Sequence, residues 1–435
     1  MDYKSEVDKW VQKNSDEVVQ TLSELIQIRT ENIPPGGNEK PGQEYLYNRI
    51  LDFIPEKEID LFEVDDIDGI REHPLFFSRI DDMERDYSNR PNLLARLKGN
   101  DGKRSLSFAG HMDVMPAYGE VWKVFADPFS GKVKDGKIYG RGSMDMKAGT
   151  LAGFYALKCI NDLGVKLDGD VYAESLIDEE NGGVNGTLAA RLRYPDIDFA
   201  ILTEPSALIA GIETVGGSDW KASVDVGGPG GFGFGKELQN PVYRLAKISA
   251  ALEEYDNKLK KVRAPETFKK EQFIRLLTFQ IYSGGTNYME SGAVPTRGHL
   301  YFWVETFAGV GEEEYRKDFM DFMKSSLEKY DDFKDDFPKF ETVIRYLGGH
   351  RTDVDHPAMA SIRNSYQALG LAYEQSGLGI ASDAFAFRET SKTDVVVLGP
   401  EGGNAHGIDE WVDIQSLLKV LKILVLTAID YCGKY

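Results

Sequence analysis

Ser105-Leu-Ser-Phe-Ala-Gly-His-Met-Asp-Val114 is the stretch whose reading decides the fold. Its first half alternates apolar residues and reads as a buried strand. The strand stops at Gly110 and presents His111 and Asp113, two residues apart, so on extended backbone both side chains leave the same face. Imidazole is a good zinc ligand. A carboxylate beside it takes the other ring N–H and fixes the tautomer. Taken alone, His-x-Asp is only a polar strand end. The reading changes because further strand ends downstream also finish in ligand-type residues.

Residues 171–177 form the next apolar run, ending in Asp178-Glu179-Glu180 and then Gly182-Gly183. Three consecutive carboxylates repel one another unless a cation is near. Residues 198–202 are another strand and run into Thr203-Glu204-Pro205. Residues 394–398 lead into Gly399-Pro-Glu-Gly-Gly-Asn-Ala-His406. Between these, Gly140-Arg-Gly-Ser-Met-Asp-Met-Lys-Ala-Gly149 sets Asp145 just ahead of a helix over 146–163. By itself Asp145 reads as a helix N-cap. Strands alternating with helices indicate an α/β fold, a mostly parallel sheet flanked by helices. Ligands of such sheets bind at the carboxyl ends of the strands. His111, Asp145, Glu180, Glu204 and His406 all fall on or just beyond such ends, and together they read as a metal site.

Working outward, residues 5–27 carry apolar positions at helical spacing and form an amphipathic opening helix. A second helix is expected over 44–54. Residues 92–98 and 105–109 read as paired strands across the turn Gly99-Asn-Asp-Gly102, and 132–139 as a hairpin on Asp135-Gly136. From 214 to 352 the texture becomes β-α-β-β-α-β, the ferredoxin-like α+β arrangement. This predicts a catalytic domain of residues 1–213 and 353–435, with a lid inserted at 214–352. The glycine run after 226 contains G-x-G-x-x-G from Gly228 to Gly233. The next helix starts only near Pro241, so the run does not open a helix as a dinucleotide site requires.

The bulk properties agree. A single core stops growing near about 250–300 residues, so 435 residues predict two domains. A net charge of −20 argues against nucleic acid or an anionic membrane surface as partner. Cys159 and Cys432 are too few and too far apart for a disulfide framework, and a reducing cytoplasm is expected. The opening residues show no basic segment followed by an apolar one, so no secretory leader is expected. The apolar run 417–429 is broken by Lys419 and Lys422 and reads as a packed terminal helix.

The motifs Gly110-His-Met-Asp113, Asp135 to Lys147, Asp178-Glu-Glu180, Thr203-Glu-Pro205, Ser382-Asp383 and Asn404-Ala-His406 together resemble one family. It is that of the metal-dependent aminoacylases, acetylornithine deacetylases, succinyl-diaminopimelate desuccinylases and glutamate carboxypeptidases. The resemblance implies two divalent ions, zinc first and cobalt or manganese as alternatives. Asp145 would bridge them, His111 and Glu204 would complete one site, and Glu180 and His406 the other. Asp113 would orient His111, Glu179 would be the general base, and the peptide after Asp145 would be cis. Two such ions polarise an amide carbonyl and acidify a water, and Glu179 relays its proton to the leaving amine. The implied substrate is an acylated amino acid or a short peptide, and the implied assembly a homodimer through the lid.

The lid departs from that pattern. Phe232 stands where relatives carry a His, Gly292 where they carry Asn, and Glu305 where they carry Arg. Glu305 hints at a substrate amine, and Arg345, Ser382 and Asp383 are further candidates for substrate contact. These departures motivate one rival reading, a metal-binding homologue without turnover that serves as a regulatory or scaffold subunit.

Overall fold

The computed structural model describes residues 2–100, 104–119, 121–182, 185–227, 240–285 and 294–433. The chain divides into two compact units: Met1–Glu213 with Arg351–Leu378 and Ser382–Tyr435, and Thr214–His350 with Gly379–Ala381. The lid positions Phe232 and Gly292, and the glycine run Gly228–Gly233, lie outside the described residues.

The first unit is built on an eight-stranded sheet. Across it the strands are Ile59–Phe62, Asn92–Leu97, Asp170–Leu176, Ser105–His111, Phe199–Leu202, Asp394–Val397, Ala210–Thr214 and Gln375–Leu378. The four inner strands, from Asp170–Leu176 to Asp394–Val397, run parallel. Antiparallel neighbours flank them on both sides. The pairing expected between 92–98 and 105–109 does not form, because Asp170–Leu176 lies between the two. Ser105–His111 is buried along its whole length. A strand of that kind sits inside a sheet with both faces covered, and the crossover through the helix Ala148–Asp162 supplies its parallel neighbour.

The period-two alternation of the strands sorts their side chains between two faces. Leu106, Phe108, Val171, Ala173, Phe199 and Ile201 join the core formed with helices Tyr3–Gln27, Ala148–Asp162 and Ile414–Cys432. Tyr172 and Leu176 belong to a separate cluster with Leu188 and Ala189 of the helix Asn185–Arg193. The terminal helix is buried over most of its length, and the Asp413 carboxylate caps it by accepting from Ser416 N at 2.7 Å. Among the described residues, no helix is long and apolar enough to cross a membrane.

The second unit has the strand and helix order read from the sequence. Its sheet runs Leu276–Ser283, Arg297–Thr306, Gly216–Asp225, Lys339–Thr342, with every pairing antiparallel. The helices are Pro241–Leu259, capped by Asn240, and Glu312–Leu327. Trp220, Leu300, Phe302, Leu252 and Phe319 lie in its core. The last strand ends at Thr342, so Arg345 lies beyond it rather than within it. The edge strand Leu276–Ser283 carries large exposed apolar side chains: Leu277 is 47%, Phe279 59% and Ile281 55% exposed.

Candidate metal centre

Register sets the first two donors. Ala109 is paired with Leu202 in the parallel ladder, so two residues further on His111 comes level with Glu204. Thr203 N donates to Ala109 O at 2.8 Å and continues the ladder to that point. His111 is likewise paired with Leu176 on its other side, and Glu179 and Glu180 follow in the turn just beyond. That turn begins at Asp178, which adopts a φ of +69°. Asp145 is not at the end of a main-sheet strand. It lies in a tight turn, Ser143–Lys147, that opens the helix Ala148–Asp162, and its peptide bond to Met146 is cis. Gly149 lets this helix approach closely, since a Cβ there would collide with Thr203 O. His406 sits in the loop past Asp394–Val397, itself at a φ of +61°.

These six side chains meet. His111 Nε2 lies 3.3 Å from Asp145 Oδ1, 3.5 Å from Glu204 Oε1 and 3.8 Å from Glu179 Oε2. His406 Nε2 lies 3.2 Å from Asp145 Oδ2 and 2.8 Å from Glu180 Oε2. Each oxygen of Asp145 therefore faces a different imidazole, with a second carboxylate beside each.

The tautomer of His111 follows from its other nitrogen. Nδ1–H donates to the main-chain carbonyl of Asp113 at 2.8 Å, which leaves the lone pair on Nε2. The Asp113 carboxylate, expected to take this bond, is 3.6 Å away. Its Oδ2 instead accepts from Glu180 N at 3.0 Å and from Asn32 Nδ2 at 2.8 Å. Backbone geometry made the carbonyl the nearer acceptor and freed the carboxylate to hold the Glu180 turn.

The electrostatics are those of a site short of positive charge. Burial, and then the neighbours Glu204, Asp383 and Glu180, push the Glu179 carboxyl well above its ordinary pKa, against the pull of His111. Burial and Asp145 do the same to Glu204. Burial opposes the charge on Asp145, yet His111 and His406 hold its carboxyl below the usual range. Glu180 foremost holds the His406 imidazole well above its ordinary pKa.

The donor set fits divalent ions. His111 Nε2 is buried without a hydrogen-bond donor or acceptor while carboxylate oxygens surround it. Two groups of ligand atoms converge, His111 with Glu179 and Glu204, and His111 with Asp145 and Glu180. Ligands about 2.0–2.2 Å from a tetrahedral zinc stand roughly 3.3–3.6 Å from one another. The 3.3 Å and 3.5 Å from His111 Nε2 to Asp145 and Glu204 lie in that range, whereas the 3.2 Å and 2.8 Å from His406 Nε2 to Asp145 and Glu180 are shorter.

The acidic run at 178–180 divides between two surroundings. Asp178 turns inward, fully buried, to Arg85, with Arg90 3.4 Å away and the Tyr87 hydroxyl donating at 2.8 Å. Guanidinium groups neutralise this member, which leaves Glu179 and Glu180 for the centre.

Of the substrate candidates, Ser382 and Asp383 belong to the unit that carries these donors, Glu305 and Arg345 to the second unit. Ser382 Oγ accepts from Ala384 N at 3.4 Å, two residues ahead of it at the start of the short helix Ala384–Thr390, whose N-cap is Asp383. The Thr187 hydroxyl donates to Asp383, whose charge acts on both Glu179 and Glu204. In the second unit Glu305 is buried and accepts from Arg275 N at 2.9 Å, with the Arg275 guanidinium 3.3 Å away. Arg275 thus takes up the charge that had suggested a substrate amine. Arg345 is half-buried in the same unit.

Sequence reading passed over several supporting groups. Asn32 is one. Lys147 is another: its fully buried ammonium donates to Leu25 O at 3.0 Å and Ile28 O at 2.8 Å, at the end of the opening helix. Glu410 is a third, fully buried beneath the Asp145 turn. A charged residue in the motif at 140–149 or just after His406 was visible. Its burial was not.

The family model for "Peptidase family M20/M25/M40" matches residues 107–430. N-formyl-4-amino-5-aminomethyl-2-methylpyrimidine deformylase of Bacillus subtilis is 24% identical over 98% of this chain and 97% of its own. Succinyl-diaminopimelate desuccinylase of a Bradyrhizobium species is 33% identical over 76% of this chain and 84% of its own. Among solved structures, human carnosine dipeptidase 1 superposes with a TM-score of 0.72 at 18% identity, covering 98% of this chain and 99% of that one. The di-peptidase Dug1p of Saccharomyces cerevisiae gives 0.76 at 14% identity, covering 99% and 98%. These neighbours share the fold of a mostly parallel sheet with flanking helices. With the motifs in family order and the family model matching residues 107–430, most of the chain, the chain belongs to Peptidase family M20/M25/M40 and is a metal-dependent hydrolase of amide or peptide bonds.

Proposed function

We propose that the centre holds two zinc ions and removes the acyl group from a small N-acylated amine or amino acid, with Glu179 as general base. The observation that carries this reading is the bifacial Asp145, one oxygen 3.3 Å from His111 and the other 3.2 Å from His406. His111, Glu204 and one oxygen of Asp145 would hold one ion. His406, Glu180 and the other oxygen would hold the second. Once bound, the pair would polarise the scissile carbonyl and lower the pKa of water from about 15.7 towards about 7.

The protein groups divide the remaining work. Asp113 O keeps the lone pair of His111 on Nε2, and the Asp113 carboxylate holds the turn that carries Glu179 and Glu180. Glu179, adjacent to His111 but bonded to neither Asp113 nor Arg85, is placed to take the proton of the attacking water. The water oxygen bonds to the carbonyl carbon, the C–N bond breaks, and Glu179 returns the proton to the leaving nitrogen.

Acyl transfer to water is favoured over peptide cleavage because the curated relatives named above are a deformylase and a desuccinylase. The dipeptidase neighbours, below 20% identity, speak for the fold. Nothing in the comparisons favours a scaffold without turnover. The exposed apolar edge strand Leu276–Ser283 supports a homodimer through the second unit. Two buried free thiols, Cys159 and Cys432, support the cytoplasm as its compartment.

Metal analysis of the zinc-supplemented protein should find two ions per chain. Glu179→Ala should keep them and lose about 10²–10⁴-fold in kcat against formyl and succinyl amides. A wild-type protein without transition metal would sink the mechanism. Preference for free dipeptides over acylated amines would move the substrate to the peptidase side.

A further inference from the structure

One buried ion pair touches both loops of the centre and takes no part in the proposed chemistry. Glu410 is fully buried and all its acceptor sites are used. Oε1 accepts from the main-chain N–H of Met144 at 2.9 Å and of Asp145 at 3.1 Å. Oε2 accepts from Gly142 N at 3.1 Å and from Arg141 Nη1 at 2.8 Å. The other arm of the same guanidinium, Arg141 Nη2, donates to His406 O at 2.9 Å. Arg141 itself is buried against the Trp122 ring, 5.8 Å from its centroid. Gly140 N donates to Glu410 O at 2.9 Å and closes the joint from the main chain.

The chemistry of the pair explains why these residue types stand here. Only a carboxylate offers enough lone pairs to receive three converging amide N–H groups and a guanidinium. Only a planar guanidinium reaches a carboxylate and a carbonyl at once in a fixed fork. The turn it holds carries Asp145, and the carbonyl it holds belongs to His406. Those are the two residues whose spacing would decide how the second ion is gripped.

We propose that Arg141 and Glu410 form a clasp that sets Asp145 against His406 and thereby tunes the affinity of the second metal position. Both are positioning residues. The inference rests on the two-ion reading above and adds to it which groups govern the second ion. Groups that hold metal ligands in place typically change metal affinity or activity by about 10–100-fold when removed.

The test is a calorimetric zinc titration of metal-free full-length protein, wild type against Glu410→Gln and Arg141→Lys. Gln places an amide NH₂ against backbone N–H donors. Lys keeps the charge but loses the fork. Both variants should bind one ion as the wild type does and the second about 10–100-fold more weakly, and excess zinc should restore kcat. Glu410→Asp should recover part of the second affinity. The clasp is overturned if both variants bind two ions with wild-type affinity. It is also overturned if both ions weaken equally and the metal-free variants melt lower, which is the signature of a general fold defect. Should Glu410→Gln fail to fold, Arg141→Lys alone decides between the same outcomes. A wild type that takes fewer than two ions overturns the two-ion reading and the clasp with it.

Discussion

At the scale of single residues, the same chemical type does different work within a few positions. Asp178, Glu179 and Glu180 are consecutive carboxylates, yet the first is neutralised by Arg85 and Arg90 and the other two turn to the imidazoles. The sequence announced a need for a cation at this run. It did not announce that one of the cations is a guanidinium more than eighty residues upstream. Arg85 and Asp178 are both almost wholly shielded from solvent. Arg85→Ala therefore strands a buried carboxylate and should cost about 3–5 kcal/mol, read as a lower denaturant midpoint. A loss below about 1 kcal/mol would mean that Arg90 alone neutralises Asp178.

At the scale of elements, the strand Gly216–Asp225 carries a half-buried carboxylate, Asp219. Burial alone pushes its pKa up to about 7 from 3.8. The folded state then binds more protons than the unfolded state between these values. This carboxyl therefore contributes stability at low pH that is lost as pH rises towards about 7. Asp219→Asn removes that dependence. Its stabilisation relative to wild type should be larger at pH 8 than at pH 5 in paired urea titrations. Equal effects at the two pH values would show that Asp219 titrates as an ordinary surface carboxylate. The period-two alternation of this strand was readable, with Trp220, Ala222 and Val224 turned to the core. The state of Asp219, just ahead of them, depends on what packs over it.

At the scale of the whole molecule, the exposed edge of the second unit is the feature that a solvated surface least explains. Leu277, Phe279 and Ile281 lie on a strand with one side unpaired among the described residues. Exposed apolar edges of this kind pair with another chain unless charges block them. Ile281→Lys should convert a dimer to a monomer, seen by sedimentation, with the fold of each unit unchanged. A wild type that sediments as a monomer at micromolar concentration would remove the dimer.

The sequence by itself determined the α/β class and the strand ends at which acidic and histidine side chains gather, though Asp145, read with them, lies in the turn that opens a helix. Burial of a parallel strand writes itself as an apolar run, and the run must stop where ligand chemistry begins, as at Gly110-His111. The inserted unit was equally legible from its alternation of strand and helix periods. Only the tertiary structure decided the partners. It placed Asp170–Leu176 between the two strands read as a pair across the turn Gly99–Gly102. It gave the His111 tautomer to a main-chain carbonyl instead of the Asp113 carboxylate. It gave Glu305 to Arg275 and Glu410 to the turn of Asp145. Periodicity is a local property of the backbone, whereas the charge state of a buried acid depends on groups brought to it from far along the chain.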